Sequence, residues 1–338
     1  MITVENLTKS FRSTTGAVVA LDDINLDVRA GVIAGVVGPS GSGKSTLARV
    51  LALRERPDSG VFRLDGLNTA ALDQRSLRAA RARIGLVPAG DSLLPQRTAA
   101  GNIALPLEQV GMEGPRRREK VGKLLDLIGL TDKAATYPDQ LTAGQRQRIA
   151  IARALVGDPT VVLADDPTGG LDATGAAGVL AVLDRARGEL GTTVLVTTPD
   201  ANVVRKIADD VAVLEDGRVI EQGRLLELVQ DPDSRVARSV LPAIETTARG
   251  DADVVLVGFA SIGALLPEAA SRFGIDIAVA GGGVTKIGET PVARFRLGIT
   301  GDRGDAALGW LAERGAHVQR ALTGPRAVAA SVAAASAA

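Results

Sequence analysis

Eight consecutive residues, Gly38-Pro39-Ser40-Gly41-Ser42-Gly43-Lys44-Ser45, restrict what this chain can become more than any other stretch. They match the spacing GxxxxGK[ST], follow the β-branched run at 32–37 and precede a helical pattern starting near Thr46. Glycines at those points let the backbone curl until successive amide N–H groups face inward, and the following helix adds its positive N-terminal end. The result is a cradle for phosphate. Lys44 is placed to meet β and γ phosphates, and Ser45 offers a hydroxyl to a magnesium ion between them. The expected ligand is ATP with Mg, held by Gly38, Pro39, Ser40, Gly41, Ser42, Gly43, Lys44, Ser45 and Thr46.

A second acidic element fits this chemistry. The apolar run at 161–164 ends in Asp165 and Asp166, where the first carboxylate could meet Mg and the second could orient an attacking water. Alone, such a pair is equally a solvated strand end.

Around these motifs, short apolar runs at 32–37, 84–87, 161–164 and 194–197 alternate with helical periodicity, the rhythm of an α/β domain built on a mostly parallel sheet. A chain of 338 residues is long for one domain. The first domain is expected over 1–230 and a linker or docked helix over 231–250. A small α+β domain with ferredoxin-like βαββαβ order follows over 251–326. In it, strands are expected at 254–259, 275–280, 293–300 and around Val318, with helices over 265–273 and 306–314. The Ala-rich segment 327–338 lacks large anchoring residues and reads as a disordered tail.

Composition removes several functional classes. Lys plus Arg and Asp plus Glu both number 39, so no basic surplus argues for a nucleic-acid partner. The absence of cysteine rules out disulfides and thiolate metal sites and fits the cytosol. Residues 1–9 mix charges and do not resemble a signal peptide. No window offers the roughly 20 apolar residues of a membrane helix, so membrane contact is expected through partners. With 46% hydrophobic but only 2% aromatic residues, the core must be aliphatic and small-grained.

Leu141-Thr142-Ala143-Gly144-Gln145 resembles the LSGGQ signature of the ATP-binding cassette (ABC) transporter ATPases, and it stands upstream of Asp165 as in that family. The resemblance covers the whole first domain and implies a P-loop NTPase cassette with a helical subdomain. Asp165 and Asp166 then take the Walker B positions, Gly170-Leu171-Asp172 the D-loop, and Phe11 the place of the aromatic residue that stacks on adenine. It also implies a homodimer, in which each signature helix contacts the nucleotide held by the other subunit.

The stretch from Arg97-Thr98 through Gly101-Asn102-Ile103-Ala104-Leu105-Pro106-Leu107, together with the C-terminal module, is most similar to the ATPase subunits of bacterial methionine importers. That likeness implies a peripheral protein on the cytoplasmic face of the membrane, beneath integral permease subunits fed by an external substrate-binding lipoprotein. The C-terminal domain would bind methionine and restrain uptake. The loop 88–94 and its continuation to Leu107 would receive a permease helix, or is an ordinary surface loop.

Three positions depart from the pattern. The resemblance implies glutamine after Val87, glutamate beside Asp165 and histidine after Thr197. The chain carries Ala89, Asp166 and Thr198 there. Asp166 keeps a carboxylate but shortens its reach by one methylene, which matters in a geometry-limited reaction. Two classes of function therefore follow from the sequence: an ATP-hydrolysing importer subunit, or a nucleotide-binding regulatory protein with little or no turnover. A soluble cassette protein without a permease is disfavoured by the single P-loop and signature.

Other features have competing readings. Arg116-Arg117-Arg118-Glu119-Lys120 is either a contact for lipid headgroups or the solvated face of a helix that buries Leu124, Leu125 and Ile128. Gly281-Gly282-Gly283 is either the lining of a ligand pocket or a hairpin turn. Trp310 reads as a core anchor and His317 as a solvent-facing residue before the last strand.

Overall fold

The computed structural model describes residues 1–13, 16–231, 233–245 and 250–320. The expected tail at 327–338, and residues 321–326 before it, lie outside the described residues. The chain divides into two compact units, Met1–Arg224 and Leu225–Ala338.

The first unit runs β1 (Ile2–Ser13), β2 (Gly16–Val28), β3 (Ile33–Val37), α1 (Lys44–Leu51), β4 (Ser59–Leu64), β5 (Leu67–Asn68), α2 (Gln74–Ala82) and β6 (Ile84–Val87). It continues through α3 (Ala99–Gln109), α4 (Gly114–Leu127), α5 (Ala143–Leu155), β7 (Val161–Asp165), α6 (Ala173–Leu190), β8 (Thr193–Thr198), α7 (Ala201–Ile207), β9 (Asp210–Glu215) and β10 (Arg218–Arg224). Two sheets result. One is four-stranded and antiparallel in the order β2-β1-β4-β5, and the other is six-stranded in the order β10-β9-β3-β8-β7-β6. Every pairing in the second sheet is parallel except that of β10 with β9.

The central strands are buried on both faces, which is why they read as unbroken apolar runs. Because side chains alternate along a strand, one strand feeds two cores. Val161, Leu163 and Leu195 join the cluster of Leu47, Leu51, Ile2 and Leu21 on the antiparallel-sheet side. Val162, Ala164, Val194 and Val196 join the cluster of α3–α6 residues that includes Ile103, Leu125, Ile149 and Leu183. The expected loop running on to Leu107 is corrected to helix from Ala99, capped by the Thr98 hydroxyl, which accepts from Gly101 N at 3.1 Å. The Arg116–Lys120 cluster lies on α4, which buries Val121, Leu124 and Leu125, while Lys120 pairs with Asp158.

The second unit begins with two short helices, α8 (Leu225–Leu228) and α9 (Arg235–Val240). Then come β11 (Ala252–Val257), α10 (Phe259–Phe273), β12 (Asp276–Ile287), β13 (Thr290–Thr300), α11 (Gly304–Glu313) and β14 (His317–Arg320). The sheet is antiparallel in the order β12-β13-β11-β14. This is the ferredoxin-like βαββαβ arrangement. Ala252, Val254 and Leu256 alternate onto one face and pack with Leu265, Ala269, Trp310 and Leu311.

Some sequence expectations are corrected in this unit. Phe259 opens α10 and does not close a strand, because Gly258 at φ 92° turns the chain after β11. Gly281-Gly282-Gly283 is not a hairpin turn but the middle of β12, beside a register shift between Val279 and Gly281. Gly282 sits at φ +96°, where a Cβ would come within 2.0 Å of the Arg294 carbonyl oxygen, so the bulge admits only glycine. The hairpin turn falls between Ile287 and Thr290 instead. His317 belongs to β14, paired with Val255, and is half-buried. Trp310 is the expected core anchor, edge-on to Phe273 at 6.3 Å.

Candidate functional site

The turn between β3 and α1 is tied down on three sides. Gly217 N donates to Ser42 O at 3.1 Å, and Ser42 N donates to Pro39 O at 3.2 Å. Gly43, at φ +105°, lies so close to β2 that a Cβ there would approach the Ala20 carbonyl oxygen to 2.4 Å. Gly43 is also the N-cap of α1 and supplies no side-chain cap, so the first-turn N–H groups of α1 have no side-chain acceptor from that position.

Inside this turn the Lys44 ammonium is buried and donates to the carbonyl oxygens of Gly38 at 2.8 Å and Pro39 at 2.7 Å, and to Ser42 Oγ at 3.3 Å. Burial pushes its pKa down, and the Asp165 and Asp166 carboxylates pull it back up.

The end of β7 meets this turn from the other side. Ser45 Oγ donates to Asp165 Oδ1 at 3.2 Å, and Thr197 Oγ1 donates to the same oxygen at 2.5 Å. Hydroxyl and carboxylate oxygens gathered at one point form a donor set suited to a hard divalent cation. Asp166 follows in a left-handed conformation at φ 42°. Burial raises its carboxyl pKa. The Thr198 hydroxyl lowers it, Asp165 and Asp200 raise it further, and Lys44 opposes them.

These groups share a cavity of about 330 Å³ walled by Ser40, Gly41, Gly43, Lys44, Ser45, Thr46, Asp165 and Asp166, with Ala20, Ala89 and Pro199 completing it. Gly38, Pro39 and Ser42 contribute by holding Lys44 rather than as walls. Ala89 presents only a methyl group to it.

The signature residues lie elsewhere. Thr142 caps α5 in a reciprocal pair: Gln145 N donates to Thr142 Oγ1 at 3.2 Å, and Thr142 N donates to Gln145 Oε1 at 2.9 Å. Leu141, just before the cap, is buried. Thr142, Ala143, Gly144 and Gln145 wall a separate cavity of about 440 Å³ together with Asp172, which itself caps α6 by accepting from Gly175 N at 2.8 Å. A third cavity of about 100 Å³ touches both Ala143 and Asp166, with Asp91 and Gln147 in its wall. Phe11 lines none of these three. It pairs with Val18 across the β1–β2 hairpin, with the Lys9 ammonium 5.2 Å above its ring.

Sequence reasoning missed Ala20, Thr197, Pro199 and the bonding of Thr198. The signal available was the pair Thr197-Thr198 at the end of a strand that aligns in parallel with β7, Asp165 opposite Thr197.

Residues 21–169 match the ABC transporter family and residues 252–320 match the NIL domain. The methionine import ATP-binding protein MetN of Thermobifida fusca is 42% identical over 319 residues, spanning 94% of this chain and 99% of the relative. The MetN of Streptomyces avermitilis is 41% identical over 330 residues, spanning 94% and 95%. A solved dimeric ATP-binding cassette, MJ0796, in a post-hydrolysis state bound to ADP and phosphate, superposes with a TM-score of 0.61 at 35% identity. It covers 66% of this chain and 98% of the other.

Proposed function

The chain belongs to the ABC transporter ATPases, among the methionine import ATP-binding proteins, and from that premise we propose that it hydrolyses Mg-ATP as a homodimer to drive methionine through membrane permease subunits. The observation that carries this reading is the division of the site. The phosphate cradle and the signature helix wall two cavities that share no residue. In this reading a nucleotide seated on Lys44 meets the signature helix of a second copy of the chain, an isologous closure of two copies.

In this mechanism the backbone of residues 38–46 and the N-terminal end of α1 hold the phosphates, and Lys44 neutralises their charge. Ser45 and Asp165 would hold magnesium, which would supply positive charge to offset that of the phosphates. Asp166 orients the attacking water. The partner's capped α5 terminus closes over the far side of the phosphates. Phe11 is proposed to stack on adenine, and Asp172 to join the closed interface from its place beside the signature helix.

Among the described residues no helix is long and apolar enough to cross a membrane; in this reading the chain works at the cytoplasmic face through the permease subunits it binds. An external lipoprotein delivers the substrate, and the ferredoxin-like domain of the second unit binds methionine as a brake.

The test is uptake of labelled methionine by cells expressing the chain with its permease. Uptake is expected with the wild-type chain and lost with Lys44→Ala. ATP-dependent uptake of a different amino acid, with methionine neither carried nor competing, would remove the substrate assignment and leave the ATPase standing.

A further inference from the structure

The bonding around Asp166 goes beyond what nucleotide binding requires. Strands β7 and β8 run parallel with Asp165 opposite Thr197, so the next residue on each chain, Asp166 and Thr198, emerges at the same edge of the sheet. There Thr198 Oγ1 donates to Asp166 Oδ1 at 3.3 Å. Thr198 is fully buried, and its oxygen also accepts from Asp200 N at 3.1 Å, at the residue that caps α7. A hydroxyl whose oxygen is engaged by a backbone N–H has one proton to give, and here it goes to the Asp166 carboxylate.

The other features of Asp166 agree. Its backbone N–H donates to Thr197 O at 2.8 Å, pinning the left-handed turn. Its second carboxylate oxygen lies against Gly169, where a Cβ would approach Oδ2 to 2.4 Å. An aspartate carboxylate normally turns broadly about its last bond. Here Oδ1 is tethered from β8, and Oδ2 occupies the space that the missing side chain of Gly169 leaves.

We propose that Thr198 is a positioning residue for ATP hydrolysis, orienting the Asp166 carboxylate toward the phosphate cavity through its hydroxyl. The inference rests on the ATPase reading above and deepens it. It also accounts for aspartate at position 166: the short side chain fits the distance between Thr198 and Gly169.

The experiment is steady-state Mg-ATP hydrolysis by the full chain, with nucleotide affinity and melting temperature measured alongside, for wild type, Thr198→Val, Thr198→Ala and Thr198→Ser. Misplacing a reacting group by about an ångström costs on the order of a hundredfold. Val and Ala are therefore expected to lower kcat by about 10- to 100-fold while KM and affinity move by less than about twofold, the signature of an interaction made in the transition state. Serine, which keeps the hydroxyl, is expected to restore kcat to within about threefold of wild type. With Asp166→Asn as background, Thr198→Val is expected to cause no further loss.

If Val does not fold, Ala carries the same comparison. Turnover unchanged in Val and Ala, or lost equally in Ser, would overturn the positioning role while leaving the ATPase reading intact. A wild-type chain that binds nucleotide without Lys44-dependent turnover would overturn both.

Discussion

Gly144 and Gly175 bring α5 and α6 into backbone contact: a Cβ on Gly144 would lie 2.8 Å from the Gly175 Cα. Backbone cannot swing aside as a long side chain can. Gly144→Ala is therefore expected to push the signature helix away from α6, at a cost of about 1–3 kcal/mol for overpacking. Denaturant unfolding of the full chain measures that loss. ATPase activity should fall as well, because in the proposed dimer the displaced helix end faces the second copy. Unchanged stability would mean the helices separate freely, and the contact would then have no structural role.

Asp58 gives a pH-dependent handle on the N-terminal sheet. Its Oδ2 accepts from both the backbone N–H and the hydroxyl of Ser10 at 2.6 Å, and Oδ1 accepts from Lys9 at 3.1 Å. The Ser10 hydroxyl, the Ser10 N–H and the Lys9 ammonium together hold its pKa at about 2, below the ordinary 3.8. Because the folded value is depressed, the contribution to stability is present above the unfolded pKa and lost as pH falls through the folded one. Asp58→Asn is expected to lower the urea midpoint at neutral pH, with the gap to wild type closing between about pH 4 and pH 2. A gap that stays constant over that window would show that the carboxylate charge is not the stabilising feature.

Trp310 is the only tryptophan in the chain and lies in the second unit, so its fluorescence reports that unit selectively. Its ring is edge-on to Phe273, with the Arg314 guanidinium 4.7 Å above it. Phe273 is half-buried against the core cluster, and Phe273→Ala should lower the fluorescence-detected stability by about 1–3 kcal/mol. Gly282→Ala should lower it too, since the new Cβ meets the Arg294 carbonyl oxygen. Lys44→Ala should leave the fluorescence transition where it is. A Gly282→Ala protein with wild-type fluorescence stability would contradict the bulge geometry in β12.

The sequence made the phosphate cradle legible because glycine spacing, lysine and strand-turn-helix context all act over eight residues. Thr142 and Gln145 were legible through the resemblance of five contiguous residues to the signature, whereas their reciprocal capping bonds came from the structure. The bonding of Asp166 to Thr198 was not, because it depends on the register between two strands 32 residues apart. Sequence periodicity names strands but not which residue stands opposite which. Gly281-Gly282-Gly283 misled in the other direction. Three glycines usually mark a turn, yet here the pairing of β12 with β13 runs through them and places one left-handed residue in a bulge. The start of α10 was hidden because Phe259 continues an apolar strand pattern, and only the turn at Gly258 ends it.

The most direct test of the account is steady-state ATP hydrolysis by the purified chain with Mg, wild type against Lys44→Ala, with nucleotide affinity measured in both. The account predicts turnover in the wild type and its loss in Lys44→Ala. It also predicts a rate that rises more steeply than linearly with protein concentration in the range where two copies associate around the nucleotide. Tight nucleotide binding by the wild type with no turnover at any protein concentration would contradict it. The chain would then be a nucleotide-binding regulatory protein on a cassette fold.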